Sequence, residues 1–316
     1  MSLSPGNEAA VRRRIVSLLA SATELVCELG AGEWLVGRSH ECDYPTWVKA
    51  LPAVSHPTFD ITGSSADIDA RVRERLSAGQ ALYEIDGERL AELAPDVIIT
   101  QTHCEVCAVS PAELSRGARA VARHPVVALD ASTVSGILDD FVDVARVLGL
   151  AENGDKLVEQ IRARLDALAA STRSLRRSTI VCLEWIDPIF PMSNWMPELV
   201  ECAGGVGLLG APGRHSTTTP WEAVREADPE VLVVAPCGYD LPRTLAEMSM
   251  LAARPSFHDL RAVRAGRVYA ADGNLYFNRS GPSLFTTPEL LAEILHGAAF
   301  PPRHEGTAWV RWPGVA

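Results

Sequence analysis

Glu88-Arg89-Leu90-Ala91-Glu92-Leu93-Ala94-Pro95-Asp96-Val97-Ile98-Ile99 has a counterpart later in the chain, Glu222-Ala223-Val224-Arg225-Glu226-Ala227-Asp228-Pro229-Glu230-Val231-Leu232-Val233. In each, a glutamate opens a short amphipathic helix. A proline seven residues later stops it, and an apolar strand follows. Proline ends a helix because it lacks an N–H and bars the α region to the residue before it. Two such units predict two related α/β halves.

The rest of the chain extends this pattern. Short runs rich in Val and Ile predict strands at 14–19, 34–38, 96–100, 125–129, 179–184, 231–235 and 267–270. Helical periodicity lies between them, at 21–31, 87–93, 111–117, 221–227 and 288–297. Alternation of this kind is the mark of parallel βα units. It stops between Thr133 and Leu168, where Ile137, Phe141, Val144, Ala145 and Leu148 recur at helical spacing. After Gly149 and Asn153-Gly154, which allow a break, Leu157, Ile161, Leu165 and Leu168 resume it. The expected organisation is an α/β fold of two Rossmann-like lobes with mainly parallel sheets, joined by a long rigid helix. The N-terminal lobe covers 13–131, the connecting helix and the start of the second lobe 132–170, the C-terminal lobe 171–297, and a tail 298–316.

At 316 residues, 47% hydrophobic and 22% charged, the chain can bury a substantial core, so a disordered or collagen-like protein is excluded. A net charge of −11 argues against a nucleic-acid partner, since phosphates need clustered Lys and Arg. Seven cysteines, an odd number, do not form a secreted disulfide scaffold and suggest a reducing compartment. Arg12-Arg13-Arg14 before Ile15 to Ala22 looks like an export leader, but Glu24 and Glu28 cut the apolar run short. A first strand, then a helix capped by Ser21 with Glu24 three residues on, is the better reading. No stretch is apolar enough to span a membrane. The expected location is cytoplasmic, or periplasmic if the true start lies upstream.

Ligands of parallel α/β sheets bind beyond the carboxyl ends of the strands. There the sequence places Ser39-His40-Glu41-Cys42-Asp43-Tyr44-Pro45, Gln101-Thr102-His103-Cys104-Glu105-Val106-Cys107, Trp185-Ile186-Asp187-Pro188 with Asn194-Trp195, Pro236-Cys237-Gly238-Tyr239-Asp240, and Asp272 to Arg279. Aromatic, Cys and His side chains crowded at one edge predict a large, partly aromatic cleft. Cys104 and Cys107 form a single CxxC. With His103, or with His40 and Cys42 from another loop, they could hold zinc or iron in a soft tetrahedral set. A redox pair, or thiols lining an organic pocket, are the alternatives. Cys27 and Cys182 read as small core residues. There is no GxSxG elbow, P-loop or HExxH, and Gly30-Ala31-Gly32 follows a helix rather than a strand. Nothing demands an enzyme.

Ser17 to Glu24, Gly30-Ala31-Gly32, Val36-Gly37, Asp43-Tyr44-Pro45 and the Glu88 to Ile99 unit resemble the N-lobe of cobalamin- and siderophore-binding proteins of ABC importers. Glu198 to Gly205, the Glu222 to Val234 unit, Ala262 to Tyr269 and Gly281-Pro282 continue the likeness, over about 13–297. The resemblance implies a helical-backbone binding protein that holds its ligand between two lobes. It also implies docking on a permease through one glutamate per lobe, here Glu88 and Glu222. On this reading the ligand is a corrinoid such as cobalamin. Tyr44, Trp185, Trp195, Tyr239 and Tyr276 stack on it, and Asp187, Asp240, Asp272, Asn274 and Arg279 bond its rim. His40, His103 or Cys104 approach its metal. A cytosolic metal-binding protein or metalloenzyme built on His40, Cys42, Cys104 and Cys107 is the rival. A third reading is an importer component whose start lies upstream.

Overall fold

The computed structural model describes residues 11–102 and 125–314. Contacts divide the described residues into two compact units: those within 1–56, 85–129 and 138–160 form the first, and those within 57–84, 130–137 and 161–316 the second. The segment 57–84, which leaves the first unit and returns to it, therefore packs with the second.

In the first unit β1 (Ile15–Ser17), β2 (Leu35–Arg38), β5 (Val97–Gln101) and β6 (Val126–Leu129) form a sheet of order β2-β1-β5-β6. Every pairing in it is parallel. Ile15, Val16, Val97, Ile98 and Ile99 are buried completely, as strands covered on both faces require. Helix α1 (Ala20–Glu28) follows β1, and α3 (Gly87–Leu93) precedes β5. Between them lie the two-stranded ribbon β3 (Ser55–Pro57) with β4 (Tyr83–Ile85), and α2 (Ser65–Ser77).

The second unit repeats the plan. β7 (Thr179–Trp185), β9 (Val206–Gly207), β10 (Val231–Val234) and β11 (Val268–Ala271) run in parallel in the order β9-β7-β10-β11. That order is the one seen in the first unit: the second strand lies on one side of the first, and the strand after the proline on the other. β8 (Phe190–Pro191) and β12 (Trp309–Arg311) add antiparallel edges. Helices α6 (Met196–Cys202), α7 (Trp221–Ala227), α8 (Leu241–Ala252), α9 (Arg261–Arg264) and α10 (Thr287–Leu295) complete this unit. Val181, Leu183, Leu232, Val234, Met248, Leu251 and Phe257 form its buried core. Each such side chain withdrawn from water stabilises the fold by roughly 1.5–3 kcal/mol.

The repeated helix-proline-strand unit has one geometry in both halves. α3 ends at Ala94 (φ 40°) and α7 at Asp228 (φ 36°), each in the left-handed region directly before its proline. The proline excludes the right-handed region at these residues, and the left-handed turn lets the chain reverse within one residue. Asp228 tolerates it, with its carboxylate accepting from Arg261 N at 2.7 Å.

The helical stretch after β6 is α4 (Val134–Val147) and α5 (Ala151–Thr172), and each begins in one unit and ends in the other. Gly149 (φ 74°) makes the break between them. Gly154, expected to share in that break, instead lies inside α5: a Cβ there would come within 2.4 Å of the Ala145 Cβ, so the glycine lets α4 and α5 pack closely. The cap of α1 also differs from expectation. The helix starts at Ala20, one residue before Ser21, and Leu19 occupies the cap position without a side-chain bond. The hydroxyl that serves the turn is that of Ser17, which donates to Leu19 O at 2.9 Å. The helix expected at 111–117 lies outside the described residues. Among the described residues no helix is long and apolar enough to cross a membrane.

Candidate functional site

In a sheet of this order, consecutive crossovers leave the first strand in opposite directions, and a crevice opens where they diverge, beyond its carboxyl end. In the second unit that point lies between β7 and β10. β7 ends in Glu184 and Trp185, and β10 runs into Ala235-Pro236-Cys237. Cys237 N donates to Glu184 O at 2.9 Å, and Glu184 Oε2 accepts from Ser216 Oγ at 2.8 Å. Beyond β11 the chain makes a π-helical turn, Gly273–Phe277, capped by Asp272, whose Oδ1 accepts from Leu275 N at 2.8 Å. Arg279, buried to 8% exposure, donates through Nη2 to Asn274 Oδ1 at 2.6 Å. Asn274, Tyr276 and Arg279 are thus held by one turn that abuts the end of β10. Asn278 Nδ2 fixes it there, donating to Ala235 O at 2.9 Å and Gly273 O at 2.8 Å.

The structure gives the other expected ligand residues local partners. Asp240 caps α8 by accepting from Arg243 N at 2.9 Å. Asp187 pairs with Arg254 at 3.1 Å, and Arg254 also donates to Ile186 O, so that loop is pinned from below. Trp195 is buried, and its indole N–H donates to Phe277 O at 3.2 Å, underneath the π-turn. Trp185 and Tyr239 pack ring to ring at 5.4 Å. Trp185 donates to Ser65 O at 3.2 Å, and the Tyr239 hydroxyl to Glu247 Oε1 at 2.9 Å. Burial and the adjacent Glu247 carboxylate raise the Tyr239 phenol far above its ordinary pKa, so it remains a donor.

In the first unit Tyr44 is half-exposed beyond β2. Cys42 is completely buried, between Thr23 Oγ1 at 2.9 Å and Ser39 Oγ at 3.2 Å, with Ser17 O at 3.7 Å. His40 Nδ1 lies 3.0 Å from Ser55 Oγ, and its Nε2 is 3.3 Å from Glu41. Among the described residues no group of three His, Cys, Asp or Glu could hold a metal ion. His103, Cys104 and Cys107 lie outside the described residues. Cys182 is buried, as a core residue should be, and burial pushes its thiol up to about 12. Cys27, expected in the core, is only partly buried, and burial with the nearby Glu24 pushes its thiol up to about 11, so neither suits a nucleophile.

Glu88 and Glu222 are exposed in the first turns of α3 and α7. Glu88 stands with Pro52, Ala53, Asp86, Arg89 and Glu92 around a shallow surface depression. Arg89 is engaged by Glu92 at 2.9 Å, leaving the depression acidic on balance.

Glu184, Ser216 and Glu247 are further polar groups of this region, joined to it by the bonds above. A glutamate ending the otherwise apolar run Thr179 to Trp185 was the one available signal for Glu184. Nothing local marks Glu247, whose partner Ser65 is 182 residues away.

The family model for periplasmic binding proteins matches residues 15–275, and the chain belongs to that family. It is the class of substrate-binding proteins to which the cobalamin- and siderophore-binding likeness pointed. A comparison with curated proteins found no match. Among solved structures, the chain is similar to the periplasmic vitamin B12 binding protein of Vibrio cholerae (TM-score 0.64, 21% identity, 91% of this chain and 97% of that one). It is similar to a periplasmic heme-binding protein of Pseudomonas aeruginosa (0.69, 21%, 97% and 100%). Another is the periplasmic heme-binding protein of Roseiflexus (0.66, 23%, 92% and 100%). These likenesses place the fold.

Proposed function

We propose that the protein is a non-catalytic substrate-binding protein for a large metal-centred macrocycle, a corrinoid such as cobalamin ahead of heme. Family membership over residues 15–275 carries this reading. Solved structures of like fold are named as vitamin B12 and heme binders. The carboxyl edge of the second unit supplies suitable chemistry: Tyr276 offers a ring face, while Asn274 and Arg279 offer hydrogen bonds for peripheral amides or carboxylates. Titration of the purified protein with cyanocobalamin, and separately with hemin, tests it. A saturable visible spectral change at micromolar cyanocobalamin supports the corrinoid. A change with hemin alone transfers the site to heme, and a change with neither removes the reading. Elemental analysis of the isolated protein addresses the rival: stoichiometric zinc, iron or copper, lost in Cys104→Ser and Cys107→Ser, would favour a metalloprotein.

The same reading assigns Glu88 and Glu222 to docking on the permease of an ABC importer, through arginines of that partner. Exposure of both carboxylates and the acidic surround of Glu88 support it. Reversing both charges, Glu88→Lys with Glu222→Lys, is expected to weaken association with the partner transporter more than about tenfold. The spectral titration should be unchanged. Association that survives the double reversal would exclude these residues.

A further inference from the structure

The segment 57–84 packs with the second unit. Leu82 near its end is buried, and Ile68 and Val72 of its helix are partly buried. Helix α2 is well made in itself: Ser64 and Asp67 form a reciprocal capping box. Yet of its thirteen residues Ser65 alone is buried, and Ile61 before it and Leu76 at its end are about 40% exposed. A helix without a buried apolar stripe gains little from the hydrophobic effect on docking. Among the described residues, the polar bonds that fasten it to the second unit gather at its first turn. Glu247, 8% exposed, receives the Ser65 N–H on both oxygens, at 2.9 and 3.1 Å, and the Tyr239 hydroxyl at 2.9 Å. Trp185 donates to Ser65 O. Arg243 lies 3.9 Å above the Tyr239 ring, with Ile61 O and Gly63 O at 3.4 and 3.5 Å from its Nη2. The far end of the segment is tied to its own beginning: Thr58 bonds Ala81 O at 2.7 Å and Leu82 O, and Arg75 reaches Thr58 O.

We infer that residues 57–84 form a releasable strap, latched to the second unit by Glu247, that covers the Trp185–Tyr239 ring pair. A helix with no fully buried apolar side chain, fastened by polar bonds at one end, opens at a lower free energy than the buried sheet it packs on. Loss of the Glu247 bonds frees α2 from its N-terminus and exposes the two rings at the crevice beyond β7 and β10. The inference stands on the bonding of the strap and does not depend on which ligand the protein takes.

Hydrogen exchange and limited trypsin digestion of the full chain test it. In Glu247→Ala the amides of α2 should exchange at least about tenfold faster than in the native protein, and trypsin should cut after Arg71, Arg73 and Arg75 correspondingly faster. Amides of β7 and β10 should stay protected. Tyr239→Phe, which removes one of the bonds, should fall between. Unchanged exchange in α2, or loss of protection across the whole second unit together, would overturn the strap. The native protein gives an independent reading if Glu247→Ala does not fold. Its α2 amides should open with a weaker denaturant dependence than those of β10, and an identical dependence would also overturn the proposal.

Discussion

Replacing Gly273 with alanine is expected to destabilise the protein by about 3 kcal/mol. A Cβ at this position would lie 2.1 Å from Pro236 O and 2.4 Å from Ala235 O. Both are backbone atoms at the end of β10, so no rotamer change can relieve the clash. Either the π-turn lifts away or the end of the strand opens. The turn carries Asn274 and Tyr276 and leads to Arg279, so ligand affinity should fall with stability, by tenfold or more. Urea unfolding midpoints measure the first effect, and the spectral titration the second. Gly238→Ala is the control. Gly238 has a positive φ of 74° but nothing within 4 Å of its Cβ position, so only the conformational cost of about 1–2 kcal/mol should appear. Equal losses in the two variants would show that close approach to β10 is not what requires Gly273.

Glu293→Ala is expected to cost about 3 kcal/mol or more. Glu293, 6% exposed, accepts from His304 Nδ1 at 2.7 Å, His304 N at 3.2 Å and Trp309 Nε1 at 3.0 Å. Without the carboxylate, a buried indole N–H and a backbone N–H lose their acceptor, and each such group costs about 1–3 kcal/mol. The anchored segment includes β12, which pairs with β11. Its amides should therefore lose hydrogen-exchange protection before those of β10. Glu293→Gln keeps one acceptor and should lose less. A Glu293→Ala variant as stable as the parent would mean that β11 pairing alone holds the C-terminal strand.

The strands were readable because their residues serve one purpose. Val97 to Ile99 and Val231 to Val234 are apolar without interruption, as a strand buried on both faces must be, and prolines 95 and 229 mark where each begins. The duplication followed from those two units, and the shared strand order carries it further than the sequence could. Pairing order is set by contacts between distant residues, so the short β9 beside β7 had no signal of its own. The α1 cap departs from the expectation because Ser21 and Glu24 satisfy the capping pattern two residues past the cap position, inside a helix whose residues Ala20 to Val26 are all buried. Among the site residues, the helix-capping roles of Asp240 and Asp272 are local and could have been read, Asp240 from the proline two residues on. The covering of Trp185 and Tyr239 could not. It arises from Ser65, more than a hundred residues earlier, and an exposed aromatic and a covered one look alike in a sequence.

The proposed function places a metal-centred macrocycle at the carboxyl edge of the second sheet of this member of the periplasmic binding protein family. Parallel cyanocobalamin titrations of the native protein and of Tyr276→Ala test it most directly. Saturable one-to-one binding to the native protein is expected, with at least about tenfold weaker binding to the variant and unfolding free energies within about 1 kcal/mol of each other. Native binding of the same strength in Tyr276→Ala, or no binding of either cyanocobalamin or hemin to the native protein, would contradict it.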